Sequence, residues 1–327
     1  MDLLDRLRLD VPVAQAGMGG GLAGSELAVA VAAAGALGTL GLAPAALLRE
    51  AIRHVRDGAA DRAVAVNLLM PFVRRDHADV CVDERIDVAV MAFGIDRGLI
   101  ARLTDHGVFV LVMVGTDGQA REALGSGADG LIAQGCEAGG HIAGKDSALT
   151  FLPRAIEAAS GRPVLLAGGI AEADDTRRAL AAGADGVVAG TRFLLTHESR
   201  AHSEYQRRIL AADKTFQTTL FGLGWPAPHR VVANAATRRW CHGDGDAKLA
   251  PRLINAGSSV LAKLPDRGQA TVPRLQTPRL PLFSPAAPTV GMPESAVEQM
   301  ALYAGETVLR LTSVISAREA VGALAPG

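Results

Sequence analysis

Eight apolar runs lie between residues 11 and 189, and each of them predicts a β-strand. The runs show no alternation of apolar and polar positions, which is typical of parallel strands that are covered on both faces. They are Val11–Ala16, Leu37–Leu42, Ala63–Leu69, Val88–Phe93, Val108–Val114, Gly130–Ala133, Pro163–Ala167 and Gly186–Ala189.

Helix-like stretches separate these runs, and strand and helix alternate with a repeat of about 20–30 residues, as in βαβ units around a parallel sheet. The stretches are Ser25–Ala34, Ala45–Arg56, Arg74–Glu84, Arg97–His106, Gln119–Ser126, Leu149–Ser160 and Ala173–Ala182. Two similar segments, Gly127–Ala133 and Gly183–Ala189, begin two of the strands in the same way. The sequence therefore predicts an α/β fold in the form of a (β/α)8 TIM barrel.

Glycines follow the last two of these strands: Gly168 and Gly169 come after Ala167, and Gly190 comes after the eighth run. Glycine leaves backbone N–H groups uncovered at the start of a helix, and such groups bind phosphate with the help of the helix dipole. Two successive strands that end in this way match the phosphate site after strands 7 and 8 of a (β/α)8 barrel. The sequence predicts a phosphorylated cofactor or substrate.

Residues 213–292 contain many prolines and little strand alternation, so long regular elements are excluded there. The segment is either a disordered insert or a small folded cap, and its aromatic residues favour a cap over the barrel mouth. These residues are Phe216, Phe221, Trp225, Trp240 and Phe283. We predict a barrel over 1–212 that ends in a helix at Glu198–Ala212, a smaller cap and substrate domain over 213–292, and a helical segment over 293–327 that packs on the barrel.

Composition and charge exclude several classes of protein. The chain has 327 residues, of which 49% are hydrophobic, and its formal net charge of −1 comes without a basic tract that would attract nucleic acid or anionic lipid. Three widely separated cysteines argue against a disulfide framework and for a reducing compartment. No apolar stretch is long enough to span a bilayer. We expect a soluble, cytoplasmic protein that binds a small molecule and neither nucleic acid nor membrane, and the oligomeric state is not indicated.

Three further turns follow strand ends, at Gln15–Gly21, Val66–Leu68 and Gln134–His141, and all of them point to the barrel face where catalytic groups gather. Asn67 and Gln134 are amides at the ends of apolar strands. Such amides can pair with a flat heterocycle such as an isoalloxazine, or they can satisfy backbone groups of the loops. The spacing supports both interpretations equally.

These motifs, in this order, resemble the nitronate monooxygenase (2-nitropropane dioxygenase-like) family over most of residues 10–210. The matching segments are Gln15–Met18, Gly35–Gly38, Val66–Leu68, Gln134–His141, Ala167–Ile170, Gly190–Phe193 and, near the C-terminus, Leu302–Thr307. The resemblance implies a TIM barrel that binds FMN non-covalently and oxidises alkyl nitronates to carbonyl compounds and nitrite with dioxygen.

The resemblance also implies roles for individual residues. Gly168, Gly169, Gly190 and Thr191 hold the phosphate, and His141 faces the flavin as a base or hydrogen-bond donor. The isoalloxazine ring and ribityl chain are bordered by Met18, Asn67 and Gln134. The full set of implied cofactor-binding residues is Ala16, Gly17, Met18, Asn67, Gln134, Gly139, Gly140, Ala167, Gly168, Gly169, Gly190 and Thr191.

Two positions depart from the family pattern, because many members have Pro where Gly17 stands and Arg where Ile142 stands. The form Gly-Gly-His-Ile is also typical of the related FMN-dependent enoyl-ACP reductases, which share this barrel. The alternative function is therefore an NAD(P)H-dependent FMN reductase of the enoyl-ACP or quinone type.

Among the eight histidines we single out His141 as catalytic, because two glycines let it project from a strand-end loop. For His229 and His242, in the predicted cap, a structural role is favoured over substrate contact. Cys136 is interpreted as a small filler residue, and Glu137 as a carboxylate that binds neighbouring backbone N–H groups. No His, Cys or Asp residues show the spacing of metal ligands, so no metal is expected.

Overall fold

The computed structural model describes residues 3–258 and 276–327. The chain divides into two compact units. The barrel unit consists of Met1–Glu137, Ala143–Ser199 and Val314–Gly327, and the second unit consists of Ala138–Ile142 and Arg200–Ser313. Within the described part of the chain, no helix is both long enough and apolar enough to cross a membrane.

The barrel unit contains a sheet of eight parallel strands, which confirms the predicted fold class. They are β1 (Val13–Gln15), β2 (Thr39–Leu40), β3 (Ala65–Leu69), β4 (Val88–Ala92), β5 (Phe109–Val114), β6 (Gly130–Gln134), β8 (Val164–Ala167) and β9 (Gly186–Ala189). Their spatial order is β1-β9-β8-β6-β5-β4-β3-β2. The two ends meet because Leu37 donates to the carbonyl oxygen of Val13 and accepts from the N–H of Gln15, both at 2.9 Å. The sheet is thereby closed into a barrel.

Helices follow the strands at the predicted places. They are α2 (Ser25–Ala33), α3 (Ala45–Gly58), α4 (Arg75–Asp83), α5 (Arg97–Asp105), α6 (Asp117–Gly125), α7 (Ala148–Ala159) and α8 (Ala173–Ala181). Shorter helices are α1 (Leu3–Leu7), a 3-10 turn at Met70–Phe72, α9 (Thr191–Leu194) and α13 (Ala317–Leu324). Each long helix buries one apolar stripe against the sheet, as Leu48, Ile52 and Val55 of α3 show.

The repeated segments that begin β6 and β9 have a common structural role. The carboxylate of Asp129 accepts a hydrogen bond from the N–H of Val110 at 2.8 Å, and that of Asp185 accepts one from Val164 at 2.8 Å. Each aspartate therefore binds the backbone at the start of the neighbouring strand. The sequence repeat reflects this shared connection between adjacent strands.

The second unit is built around a small antiparallel sheet in the order β10-β11-β7. Its elements are β7 (Gly140–His141), α10 (Ser203–Leu210), β10 (Phe216–Thr218), β11 (His229–Val231), α11 (Ala235–Trp240), α12 (Leu249–Ala256) and 3-10 turns at Glu294–Glu298 and Glu306–Leu309. Leu220, Phe221, Val231 and Phe283 form its core.

The boundaries of the two units differ from the predicted 1–212, 213–292 and 293–327. Helix α10 belongs to the second unit because its Tyr205 is fully buried there and donates to the carbonyl oxygen of Tyr303 at 2.7 Å. Residues 259–275, which include Pro265 and Pro273 of the predicted cap, lie outside the described residues. That the second unit caps the barrel mouth stays a prediction.

Candidate active site

Most of the residues predicted to bind a cofactor in the barrel unit lie at or just after the carboxyl ends of its strands, but Asn67, predicted at a strand end, is the middle residue of β3. Ala16, Gly17 and Met18 follow β1, Gly190 and Thr191 follow β9, Ala167 ends β8 before Gly168 and Gly169, Gln134 ends β6, and Asn67 lies in β3. Strands β1, β9, β8 and β6 are consecutive neighbours in the sheet. The structure therefore brings most of the predicted positions together at one rim of the barrel.

The glycine turns leave the main chain accessible at this rim. Gly168 and Gly169 have φ angles of +115° and +74°, which other residues rarely adopt, and both are half-buried. Gly190 precedes α9, and a Cβ atom added to it would meet only Ala16 Cβ, at an ordinary contact distance of 3.7 Å. Open space beside glycine backbone at the start of a helix fits a phosphate group.

Asn67 connects β3 to the turn after β1. Its Nδ2 donates to the carbonyl oxygen of Gly17 at 2.7 Å, and a Cβ on Gly17 would lie 2.2 Å from Asn67 Cβ. Position 17 therefore admits no side chain in this conformation. Gln134 makes a comparable contact, since its Oε1 accepts from the N–H of Ala143 at 2.8 Å. In both amides, at least one polar atom satisfies the backbone of a loop.

Gln15, which was not among the predicted site residues, binds the backbone of the same rim. Its side chain is almost fully buried, its Oε1 accepts from the N–H of Thr39 at 3.0 Å, and its Nε2 donates to the carbonyl oxygen of Ala16. The signal was present in the sequence, because Gln15 is a polar residue near the end of an apolar run in the same way as Asn67 and Gln134.

The loop after β6 has a structural role at its centre. The carboxylate oxygens of Glu137 accept from the N–H of Ala148, the first residue of α7, at 3.0 and 3.2 Å, as predicted for this residue. The N–H of Cys136 donates to the carbonyl oxygen of Asp146 at 2.9 Å. Across residues 3–258 and 276–327, no three or more His, Cys, Asp or Glu side chains gather as a metal site would require.

The interior of the barrel is filled with side chains. A cavity of about 20 Å³ remains between residues such as Gln15, Val90, Leu111 and Leu165, which is room for about one water molecule. An aromatic cofactor cannot enter this space.

The predicted residues Gly139, Gly140 and His141 lie in the second unit, where β7 pairs antiparallel with β11 and His141 lies opposite His229. A Cβ on Gly139 would lie 2.5 Å from the backbone nitrogen of Gly305, so the segment around His141 packs closely against the Leu302–Thr307 motif. The structure brings these two family-like motifs together.

Aromatic rings surround His141 in the second unit. Its imidazole stacks on Trp225 with ring centroids 3.5 Å apart and an interplanar angle of 11°. The rings of His229 and Tyr303 lie 5.0 and 5.6 Å away. From the sequence, Trp225 was interpreted only as an aromatic residue of the predicted cap and Tyr303 only as part of a family-like motif, because their proximity to His141 depends on the tertiary fold.

Burial keeps this cluster uncharged at neutral pH. His141 is 8% exposed, and burial, followed by the neighbouring His229, holds its pKa well below the usual value. Burial lowers the pKa of His229 to about 4 and raises the pKa of the Tyr303 hydroxyl above its ordinary value. Removal of water disfavours every charged form, so all three side chains are neutral near pH 7.

His229 is fixed in one tautomer by the backbone around it. Its Nδ1 lies 3.0 Å from the carbonyl oxygen of Ala227, and its Nε2 accepts from the N–H of Phe221 at 3.3 Å. The proton must therefore be on Nδ1. With both ring nitrogens engaged and the side chain fully buried, His229 has the structural role that the sequence favoured.

Residues 70–327 match the family described as nitronate monooxygenase, a range that contains both the Gln134–His141 and the Leu302–Thr307 motifs. This chain belongs to that family. Membership makes the protein an oxidoreductase and implies a flavin cofactor.

The chain is similar to proteins whose names indicate several different activities. Over 263 residues it is 36% identical to the (3aS,4S,5R,7aS)-5-hydroxy-7a-methyl-1-oxo-octahydro-1H-indene-4-carboxyl-CoA dehydrogenase of Mycobacterium tuberculosis, which covers 78% of this chain and 72% of that protein. FabK from Thermotoga maritima superimposes with a TM-score of 0.78 at 26% identity, over 98% of this chain and 94% of that one. Nitroalkane oxidase from Streptomyces ansochromogenes superimposes with a TM-score of 0.76 at 28% identity, over 98% and 96%.

Proposed function

We propose that the protein is an FMN-dependent enzyme that oxidises alkyl nitronates to carbonyl compounds and nitrite, with dioxygen as co-substrate. The family match supports this reaction class. The observation that carries the choice of substrate form is the neutral cluster of His141, His229 and Tyr303. When bound, the flavin supplies the electron transfer, and the protein supplies binding, orientation and electrostatics.

The cofactor is proposed to bind at the rim of the barrel unit. Gly168, Gly169, Gly190 and Thr191 would hold the phosphate, and Met18, Asn67 and Gln134 would border the ring and ribityl chain. FMN is preferred to FAD because this phosphate site terminates the ligand. Acid or heat should release FMN from the yellow protein, and a colourless protein that cannot be reconstituted with FMN would contradict the proposal.

His141 would donate a hydrogen bond to an oxygen of the nitronate. A nitronate is reactive only while its carbon stays deprotonated, so the groups around it must be weak acids. A neutral imidazole and a tyrosine with a raised pKa meet this condition. The same lowered pKa makes His141 a weak base toward a neutral nitroalkane. We therefore expect the preformed nitronate to be the better substrate.

Steady-state rates with ethylnitronate and with nitroethane test this role. His141→Gln and His141→Ala should retain the flavin but lose about 10- to 100-fold in nitronate turnover, the value of one hydrogen bond to a charged group. His242→Gln, an exposed histidine of the same unit, is the matched control and should leave turnover unchanged. Faster turnover of nitroethane than of ethylnitronate by the wild type would contradict the hydrogen-bond role and indicate that His141 acts as a base toward the nitroalkane.

A second candidate is an NAD(P)H-dependent redox reaction on an acyl thioester. Its support is the carboxyl-CoA dehydrogenase named among the relatives and the apolar Ile142, 7% exposed, at the position after His141. Anaerobic mixing of the yellow protein with NADH, NADPH or a nitronate separates the two candidates. Bleaching by a nitronate supports the first, whereas bleaching by a nicotinamide alone moves the assignment to the second.

A further inference from the structure

Trp225 covers one whole face of the His141 imidazole. The ring centroids are 3.5 Å apart and the planes are within 11° of parallel, which is van der Waals contact. No substrate atom fits between rings at this spacing. A ligand that hydrogen-bonds to His141 must therefore reach the edge of the imidazole while its substituents pass the rim of the indole.

The other neighbours of His141 are held in place by hydrogen bonds. His229 is fully buried and bonded through both ring nitrogens, and the Tyr303 hydroxyl donates to the carbonyl oxygen of Pro285 at 3.0 Å. The ladder pairing of His141 with His229 also fixes the backbone behind the imidazole. These contacts leave little freedom on that side for a bulkier ligand.

The turn that carries Trp225 is itself anchored in the second unit. The N–H of Trp225 donates to the carbonyl oxygen of Gly222 at 2.9 Å, and the N–H of Gly224 donates to Ser258 Oγ at 2.8 Å. Leu223 donates to the carbonyl oxygen of Phe283 at 3.0 Å. The indole is half-buried, and these hydrogen bonds hold in place the turn that carries it.

We propose that Trp225 determines substrate size, by limiting the bulk of the substituents that the reacting carbon can carry when the substrate is hydrogen-bonded to His141. This inference rests on the proposed nitronate chemistry. Removal of the indole would open the covered face of the imidazole and admit branched or cyclic substituents. Trp225 positions the substrate and excludes bulky substituents, while His141 makes the polar contact with the substrate.

The test compares ethylnitronate with propyl-2-nitronate and cyclohexylnitronate. Trp225→Ala should raise the ratio of kcat/KM for the bulky substrates to that for ethylnitronate by about 10- to 100-fold, the range expected when a pocket gains room for extra methylene groups. Trp225→Phe keeps an aromatic wall and should change the ratio far less. Trp240→Phe is the matched control, since the other indole of the chain donates elsewhere, to the carbonyl oxygen of Pro278.

Binding provides a readout that does not depend on turnover. Propanoate, 2-methylpropanoate and cyclohexanecarboxylate have the carbon skeletons of the three nitronates and a planar anionic group with two oxygens. The chain has two tryptophans, so Trp240→Phe leaves Trp225 as the single indole, and its fluorescence reports binding of each carboxylate. We expect affinity to fall with bulk in this background and to depend less on bulk in Trp225→Ala, where flavin absorbance reports binding.

Each outcome has one meaning. A folded, yellow Trp225→Ala protein with an unchanged preference between small and bulky ligands overturns the inference. If that variant does not fold, Trp225→Leu provides the same comparison with an intact core. A wild type that turns over no nitronate refutes the proposed function, and the carboxylate series then still decides whether Trp225 limits size.

Discussion

The contacts that stabilise the barrel unit internally differ in kind from those that stabilise the second unit. In the barrel unit, backbone ladders join neighbouring strands, and repeated carboxylates such as Asp129 and Asp185 bind the strand beside them. In the second unit, single buried side chains bind irregular backbone: Asn234 Nδ2, for example, donates to the carbonyl oxygens of Val297 and Met300 at 2.9 and 2.7 Å. A regular fold distributes its stability over many similar bonds, whereas an irregular one depends on particular residues.

The same contrast separates the proposed roles of the two units. The rim of the barrel unit offers glycine backbone for a cofactor phosphate, while the second unit offers the side chains of His141 and Trp225. Changes in the first should therefore affect the cofactor, and changes in the second should affect chemistry, substrate choice and local stability.

Gly190→Asp should weaken FMN binding by at least about 10³-fold. The added Cβ has room, with its nearest neighbour at 3.7 Å, so the fold should persist. The new carboxylate would place a negative charge at the proposed phosphate site, which costs on the order of several kcal/mol in a partly desolvated position. Flavin content after gel filtration and titration of the apoprotein with FMN measure the loss.

The control for this substitution is Gly125→Asp, at an exposed position in α6 with open space around it. It adds the same charge to the same unit and should leave FMN affinity unchanged. If Gly190→Asp folds and binds FMN as tightly as the control, the phosphate binds elsewhere.

His229→Gln should flatten the acid side of the stability profile. The folded-state pKa of His229 is about 4, below the ordinary value of about 6.5 for an unfolded histidine, so only the unfolded chain takes up a proton between these values. Stability from this group is complete above about pH 6.5 and is lost as the pH falls toward 4, by about 3 kcal/mol in total.

Urea unfolding at pH 7.5, 6 and 5 measures this slope in the wild type, in His229→Gln and in the exposed control His242→Gln. We expect the His229→Gln protein to start from a lower stability at pH 7.5, because two hydrogen bonds are lost, and then to decline less steeply. Parallel curves for all three proteins would show that His229 titrates normally in the fold.

Two helix N-caps provide the smallest and most direct comparison of the units. Thr116 caps α6 in the barrel unit at an exposed position, and its hydroxyl accepts from the N–H of Gln119 at 3.3 Å. Asn234 caps α11 in the second unit, is fully buried, and also satisfies two carbonyl oxygens. We expect Thr116→Ala to cost about 1 kcal/mol and Asn234→Ala about 2–3 kcal/mol. Equal losses in urea unfolding would mean that the irregular contacts of the second unit are no more critical than those of the barrel.

The barrel was predictable because its strands are buried on both faces, and such strands consist of unbroken runs of apolar residues. Every observed strand of the barrel unit overlaps a predicted one, and the helices agree within a few residues. The second unit carries no such signal, since its strands have only two or three residues. Strand β7 finds its partner β11 far along the chain, and such a pairing leaves no local pattern.

The candidate site was predictable to the extent that it depends on residue type. Glycines such as Gly168 and Gly169 indicate a backbone conformation with positive φ, so a turn at this rim could be predicted from the sequence. The contacts of Asn67 and Gln134 did not, because an amide bonds whatever the fold places beside it. The stacking of Trp225 on His141 and the tautomer of His229 are likewise set by tertiary neighbours.

The five residues Ala138–Ile142 interrupt the sequence of the barrel unit and supply one strand, β7, to the sheet of the second unit. The second unit is thus encoded in two separate places, and a segment excised at Arg200–Ser313 would lack one strand of its sheet. Recombination between family members would have to exchange this pentapeptide together with the longer segment. Chimeras joined only at residues 199 and 313 would pair a foreign β11 with the native strand that carries His141. We therefore expect the sequences of the pentapeptide and of the longer segment to vary together among family members.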